Sequence, residues 1–225
     1  MPVEIELQHP YIAVKTPYGL SYGGNQGWSD GNLRRCGCAV VAGLDLMLYL
    51  CRWHNVPEAP KLKALIDSDP IPEEDYIRAL RYMTANYLPT IPRFGVNALV
   101  LAAGTNLFFV KNKLPYRARW GVTGRHLWRD IETMLRADIP VLLSVGQNFP
   151  KVWGKDKLRL YRTSPDGRFL PTAQTKAHML TVTGIDSEWL QVSSWGRRCF
   201  IRRPEYESYI RLHSNTVVSN MLHIR

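Results

Sequence analysis

The chain has 225 residues, 45% of them hydrophobic and 21% charged, with a formal net charge of +10. That size supports one large domain or two small lobes around a real core, and the composition excludes a disordered or low-complexity chain. No apolar run approaches the roughly 20 residues of a membrane span. Residues 1–7 lack the apolar stretch of a signal peptide, and four irregularly placed cysteines exclude a disulfide-dense scaffold, so a reducing cytoplasm is expected.

The basic residues are scattered and accompany no recognised nucleic-acid motif, so a solvated basic surface is expected rather than nucleic-acid binding. In chain order, residues 11–14 predict a short strand and residues 15–35 a loop rich in Gly, Tyr, Asn and Trp. From Ala39 to Leu50 only Asp45 is charged, and apolar residues fall on every face. This predicts a buried central helix reaching about Arg52. Cys36 and Cys38 stand where it begins. A helix N-terminus carries partial positive charge and unpaired N–H groups, both of which favour a thiolate.

Further helices are predicted over 72–87, with Glu73, Glu74 and Asp75 complementing the N-terminus, over 97–110, and over 125–137, where Leu127, Ile131 and Leu135 share a face. Gly104-Thr105 is an unfavourable pair inside the second of these. From residue 140 the pattern changes to strands, at 140–146, 157–161, 178–184, 189–193 and 199–201. A short helix at 204–210 follows, and 216–224 is expected to end the sheet. The plan is α+β, a single domain over 1–225 with a helical part at about 1–137 and an antiparallel sheet at 138–225.

Three places share one order and spacing: Gln26; the run Cys36-Gly37-Cys38-Ala39-Val40-Val41-Ala42; and the block from His178 to Gly184 followed by Trp189 to Gly196, which ends Ser193-Ser194-Trp195-Gly196. The set resembles the papain-like cysteine peptidases, nearest the bacterial branch that includes the double-glycine leader peptidases. It covers about residues 22–52 and 176–200. The resemblance implies a papain-like fold with the Cys-bearing helix packed on the sheet and the site in a cleft between them. It implies a peptidase or amidase that hydrolyses a peptide or protein substrate through an acyl-enzyme, with no cofactor and no metal.

Within that pattern a cysteine is the nucleophile, His178 its base, Ser193 the orienting residue where the family has Asn or Asp, and Gln26 the oxyanion donor. Trp195 shields the imidazole from water. The chemistry needs these types: a thiol with an ordinary pKa near 8.5 is a poor nucleophile until an imidazole takes its proton. Gln26 stands further from Cys38 than the family's gap, which leaves Asn25 as the alternative donor. A glycine directly after the nucleophile favours Cys36, and helix-start geometry favours Cys38, which is preferred. Cys51 and Cys199 read as structural. Structural zinc would need wider spacing and a second ligand pair.

The other histidines read as non-catalytic. His9 and His223 lie near the termini, His54 is placed to cap the central helix, and His126 and His213 lie on or beside amphipathic helices. The uncharged, short Ser193 motivates one alternative, a non-catalytic module binding a peptide or protein in the same cleft. An acyltransferase using the same Cys-His pair is the other.

Overall fold

The computed structural model describes residues 3–54, 62, 65, 67–151 and 153–225. The architecture is α+β, with most helices in the N-terminal half and an antiparallel sheet in the C-terminal half.

Two helices meet at one residue. Helix α1 spans Gly31–Cys36 and α2 spans Cys38–Trp53, with Gly37 between them donating its N–H to Leu33 O at 2.8 Å. A Cβ on Gly37 would lie 2.4 Å from that carbonyl, so only glycine permits the joint. Every residue of α2 from Ala39 to Cys51 is buried. Leu44, Leu46, Met47, Leu48 and Leu50 are wholly enclosed, and truncating any one to Ala would cost about 2–5 kcal/mol. Helix α2 lies against the main sheet on one side and other helices on the other, which is why its sequence is apolar all round.

Helix α3 spans Glu73–Asn86 and buries Tyr76, Ala79, Leu80 and Met83, one stripe at helical spacing. Helix α4 spans Ala98–Lys111 and is capped by Asn97, whose side chain accepts from Val100 N at 2.9 Å. Gly104 does not break it. A Cβ there would lie 2.0 Å from Tyr87 O, so the glycine exists to let the backbone after α3 approach the helix. Helix α5 spans Leu127–Arg136 and α6 spans Arg203–His213, with Pro at its start.

The main sheet contains β1 (Ile5–Glu6), β6 (Val141–Val145), β7 (Leu158–Thr163), β8 (Phe169–Thr175), β9 (His178–Ile185), β10 (Trp189–Ser194) and β11 (Arg197–Arg202). Its order is β1-β9-β10-β11-β7-β8, with β6 also paired to β9. Strands β1 and β6 share the same flank of β9, against Gly184–Ile185 and His178–Val182 respectively. The N-terminal segment therefore joins the sheet, which the sequence reading did not anticipate. Strand β8 forms the opposite edge and carries Pro171.

Among the described residues there are also two small sheets. Strand β2 (Val14–Thr16) pairs with β3 (Gly19–Leu20) and β4 (Ile71–Pro72), and β5 (Ala118–Trp120) pairs with β12 (Leu222–Ile224). Residues 216–224 thus do not extend the main sheet as expected. They meet its β6 strand through a bridge between Met221 and Leu143 and through the Asn220 carbonyl, which accepts from Ser144 N at 2.8 Å, and then pair with β5. The expected loop at 15–35 also holds β3, a 3-10 turn at Gln26–Trp28 and α1.

Candidate active site

A cleft of about 270 Å³, its open mouth included, runs between α2 and strands β9 and β10. Cys38, Val41, Ala42 and Asp45 of α2 form one wall. His178, Thr181, Ser193, Ser194 and Trp195 line the other, with Gly24 and Gln26 from the preceding loop. The cleft thus joins a thiol to an imidazole 140 residues later in the chain.

Cys38 is the first residue of α2. Burial pushes its thiol up, against hydrogen bonding from the backbone of Met179 and Ala39. Cys36 ends α1 and turns elsewhere: its carbonyl and Cβ lie beside Gly95, and it does not line the cleft. Cys51 is buried, its thiol pushed up to about 12 by burial, and Cys199 is buried in β11.

His178 heads β9 opposite Val145, is 8% exposed, and is pushed down to about 4 by burial alone. Its Nε2 lies 2.9 Å from Ser194 Oγ. The Trp195 indole stacks on the ring, centroids 4.5 Å apart and planes at 20°. Two residues beside the imidazole have left-handed backbone, Ala177 at φ 50° and Trp195 at φ 51°. Such positions cost on the order of 1 kcal/mol outside glycine and persist where the surroundings impose them. Trp195 and Gly196, at φ 72°, close a two-residue hairpin between Ser194 and Arg197, a turn that requires positive φ at both central residues.

The two serines make different contacts. Ser193 lines the cleft, but its hydroxyl donates to Tyr22 O at 2.8 Å, and it is Ser194 that meets the imidazole. Adjacent strand residues point to opposite faces, so one position decides which serine faces the histidine. The register of β9 and β10 shifts between Gln191 and Val192, an offset of this kind that the sequence does not announce. Gln26 lines the cleft and donates its Nε2 to Arg34 O at 2.9 Å, which fastens it to α1. Asn25 instead uses its side chain to cap the 3-10 turn, accepting from Gly27 N at 2.8 Å.

Asp45, the one charge between Ala39 and Leu50, has a place in the site that the sequence pattern does not assign. It is 1% exposed and accepts from the Tyr76 hydroxyl at 2.6 Å, the Gly24 N–H at 3.0 Å and the Tyr11 hydroxyl at 3.1 Å. Burial pushes the carboxyl up to about 6 even so. Asp45 holds Gly24 to α2 and Ser193 holds Tyr22 to β10, so the loop bearing Gln26 is fastened to both walls of the cleft. A Cβ on Gly23 would lie 2.3 Å from Ser193 Oγ, so the loop lies directly on these groups. The available signal was a lone acid two turns after the cysteine in an otherwise apolar helix.

The remaining histidines lie elsewhere. His54 caps α2 through its backbone N–H alone, while its ring bridges the Tyr116 hydroxyl and Asp138 O, each at 2.8 Å. His9 meets Asp138 at 2.6 Å and stacks on Trp53. His126 precedes α5 without a side-chain cap bond, His213 pairs with Asp156 at 3.2 Å, and His223 lies 3.8 Å from Asp130. Among the described residues no three His, Cys, Asp or Glu side chains are grouped to hold a metal ion, and no helix is long and apolar enough to cross a membrane.

Comparison with protein-family models, with curated proteins and with solved structures finds no match for this chain.

Proposed function

We propose that this chain is a thiol-dependent peptidase or amidase of the papain-like kind, with Cys38 as nucleophile and His178 as its base. The observation that carries this reading is the cleft that Cys38 shares with an imidazole held at Nε2 by Ser194. With Nε2–H donating to Ser194 Oγ, Nδ1 keeps its lone pair and is the nitrogen free to take a proton.

Burial raises the thiol and lowers the imidazole, so the resting pair is neutral. Proton transfer to His178 then accompanies attack of the sulfur on the substrate's amide carbon. The Gln26 amide and the Cys38 N–H are the donors for the resulting oxyanion, each worth roughly 3 kcal/mol in comparable sites. As the C–N bond breaks, His178 returns the proton to the leaving amine. Water, deprotonated by the same imidazole, then releases the acid from the thioester. The Trp195 indole keeps bulk water off the ring through these steps.

One observation favours a second reading, a non-catalytic module that binds a peptide or protein. Cys38 and His178 make no direct hydrogen bond, and burial moves both away from the ion pair. Iodoacetamide labelling mapped by peptide separates the two. The peptidase predicts that Cys38 labels ahead of Cys36, at a rate that His178→Ala lowers about tenfold. Labelling at the same rate in His178→Ala, no faster than free cysteine, selects the binder. Turnover that survives both Cys38→Ser and Cys36→Ser, each made singly, refutes the peptidase. Product analysis with an added amine distinguishes hydrolysis from acyl transfer.

A further inference from the structure

Helix α4 carries one charge, Lys111, at its last residue, and is apolar on all sides. Such a helix is ordinarily enclosed. Here Leu101, Gly104, Thr105, Phe108 and Phe109 are buried, but the opposite face is open: Leu99 and Val110 are each 76% exposed and Leu107 42%. With exposed Ala103, these residues stand at i, i+4, i+8 and i+11, within about 80° of arc at 3.6 residues per turn. The open stripe runs the length of the helix, about 20 Å. Directly before it, Phe94 is 83% exposed.

The stretch of sequence that contains this helix carries charge of one sign, although Arg78, Arg81 and Arg129 of it pair with Asp75, Asp30 and Asp130. Between Asp75 and Asp130 the sequence holds nine Lys and Arg and neither Asp nor Glu. Arg93 precedes α4, and Arg117 and Arg119 flank Ala118, whose N–H and C=O are both bonded to Asn106 of α4 at 2.8 Å. All three arginines are exposed, as is Lys111.

The sign of the charge selects the occupant. A second copy of this chain would bring two basic surroundings together, each on a molecule of net charge +10, and like charges oppose that. A bound peptide needs a groove or a sheet edge, and a single convex helix face provides neither. An anionic lipid surface suits both features, since aliphatic side chains enter the acyl boundary while Arg and Lys meet headgroup phosphates. We propose that the outward face of α4 is where this protein adsorbs to an anionic membrane surface, lying on it without crossing it. The inference does not rest on Cys38 or His178.

The test is co-sedimentation of the full chain with vesicles of phosphatidylcholine and phosphatidylglycerol, against vesicles of phosphatidylcholine alone. Binding is expected on the anionic vesicles, weaker by about tenfold or more on the neutral ones, and reduced by salt. Leu99→Glu and Val110→Glu change exposed side chains, so the fold, checked by circular dichroism, should persist while binding falls about tenfold or more. Leu99→Gln with Val110→Gln serves if the acidic pair perturbs folding. Lys111→Glu with Arg117→Glu should produce a comparable loss. The proposal fails if the anionic vesicles are not bound at low salt, or if binding is indifferent to Leu99 and Val110. It also fails if sedimentation velocity shows a dimer that Leu99→Glu dissolves, which would assign the face to a second copy.

Discussion

Asp45 and Asp138 are two buried carboxylates built on the same plan. Each accepts a tyrosine hydroxyl at 2.6 Å, from Tyr76 and Tyr49 respectively, and each accepts a backbone N–H, from Gly24 and Gln8. Their third partners differ: the neutral Tyr11 hydroxyl for Asp45, the His9 ring for Asp138. For Asp45 burial outweighs the bonds and pushes the group up to about 6. For Asp138 burial also pushes upward, but the bonds from Tyr49, His9 and Gln8 and the charge of His9 together hold it below the ordinary value. Asp45 is the more deeply enclosed, so its desolvation is larger and its neutral donors do not offset it, while Asp138 is less desolvated and also has beside it a ring that can carry positive charge. The contrast divides the molecule. Asp138 locks the N-terminal segment to the far end of α2, and Asp45 leaves a titratable group in the floor of the cleft.

The largest expected effect tests the locked region. Asp138→Ala strips the acceptor from Tyr49, His9 and Gln8 and should destabilise the protein by about 3 kcal/mol or more, read from urea unfolding at neutral pH. At that pH Asp45→Asn should cost much less, because it removes a charge that burial disfavours. Equal losses in the two variants would erase the distinction.

The next effect lies in pH. The Asp45 carboxyl is raised from 3.8 to about 6, so its contribution is complete below 3.8 and is lost as pH rises through about 6. The His178 ring is lowered from 6.5 to about 4, so its contribution is complete above 6.5 and is lost as pH falls through about 4. Each amounts to about 3 kcal/mol, and between the two shifted values they oppose one another. The combined contribution of these two groups should therefore vary little over that window. Asp45→Asn should expose a decline toward acid, and His178→Gln a decline toward neutral pH. Parallel unfolding curves for all three proteins would show that neither group titrates as described.

The smallest effects compare the two serines. Ser194→Ala should lower His178-dependent alkylation of Cys38 about tenfold, equivalent to roughly 1.4 kcal/mol. Ser193→Ala frees only the Tyr22 carbonyl and should cost about 1 kcal/mol of stability with little change at the thiol. The reverse order would return the orienting role to Ser193.

What the sequence disclosed follows a physical division. Long periodic elements were legible: α2 from its unbroken apolar run, α3 from its acidic first turn, and β6, β9 and β10 from their apolar content and turn boundaries. The order of Cys38, His178 and the Ser-Ser-Trp-Gly block was likewise visible as a pattern. Features that depend on distant partners were not. Strand β1 has two residues and exists because β9 offers it an edge, and β8 is largely exposed and contains Pro171. Helix α1 is too short for periodicity. Which serine meets His178 depends on a one-residue register shift, and the duty of Asp45 on tyrosines 34 residues before it and 31 after it.

Strand β8 is the outermost strand of the main sheet on its side. Pro171 sits opposite Tyr161 in its interior and has no N–H to offer an incoming chain. A strand trying to extend the sheet there meets an interrupted ladder bordered by exposed side chains. The same residue that hid β8 from the sequence pattern thus works against end-to-end polymerisation of the folded protein, and so favours its solubility at high concentration.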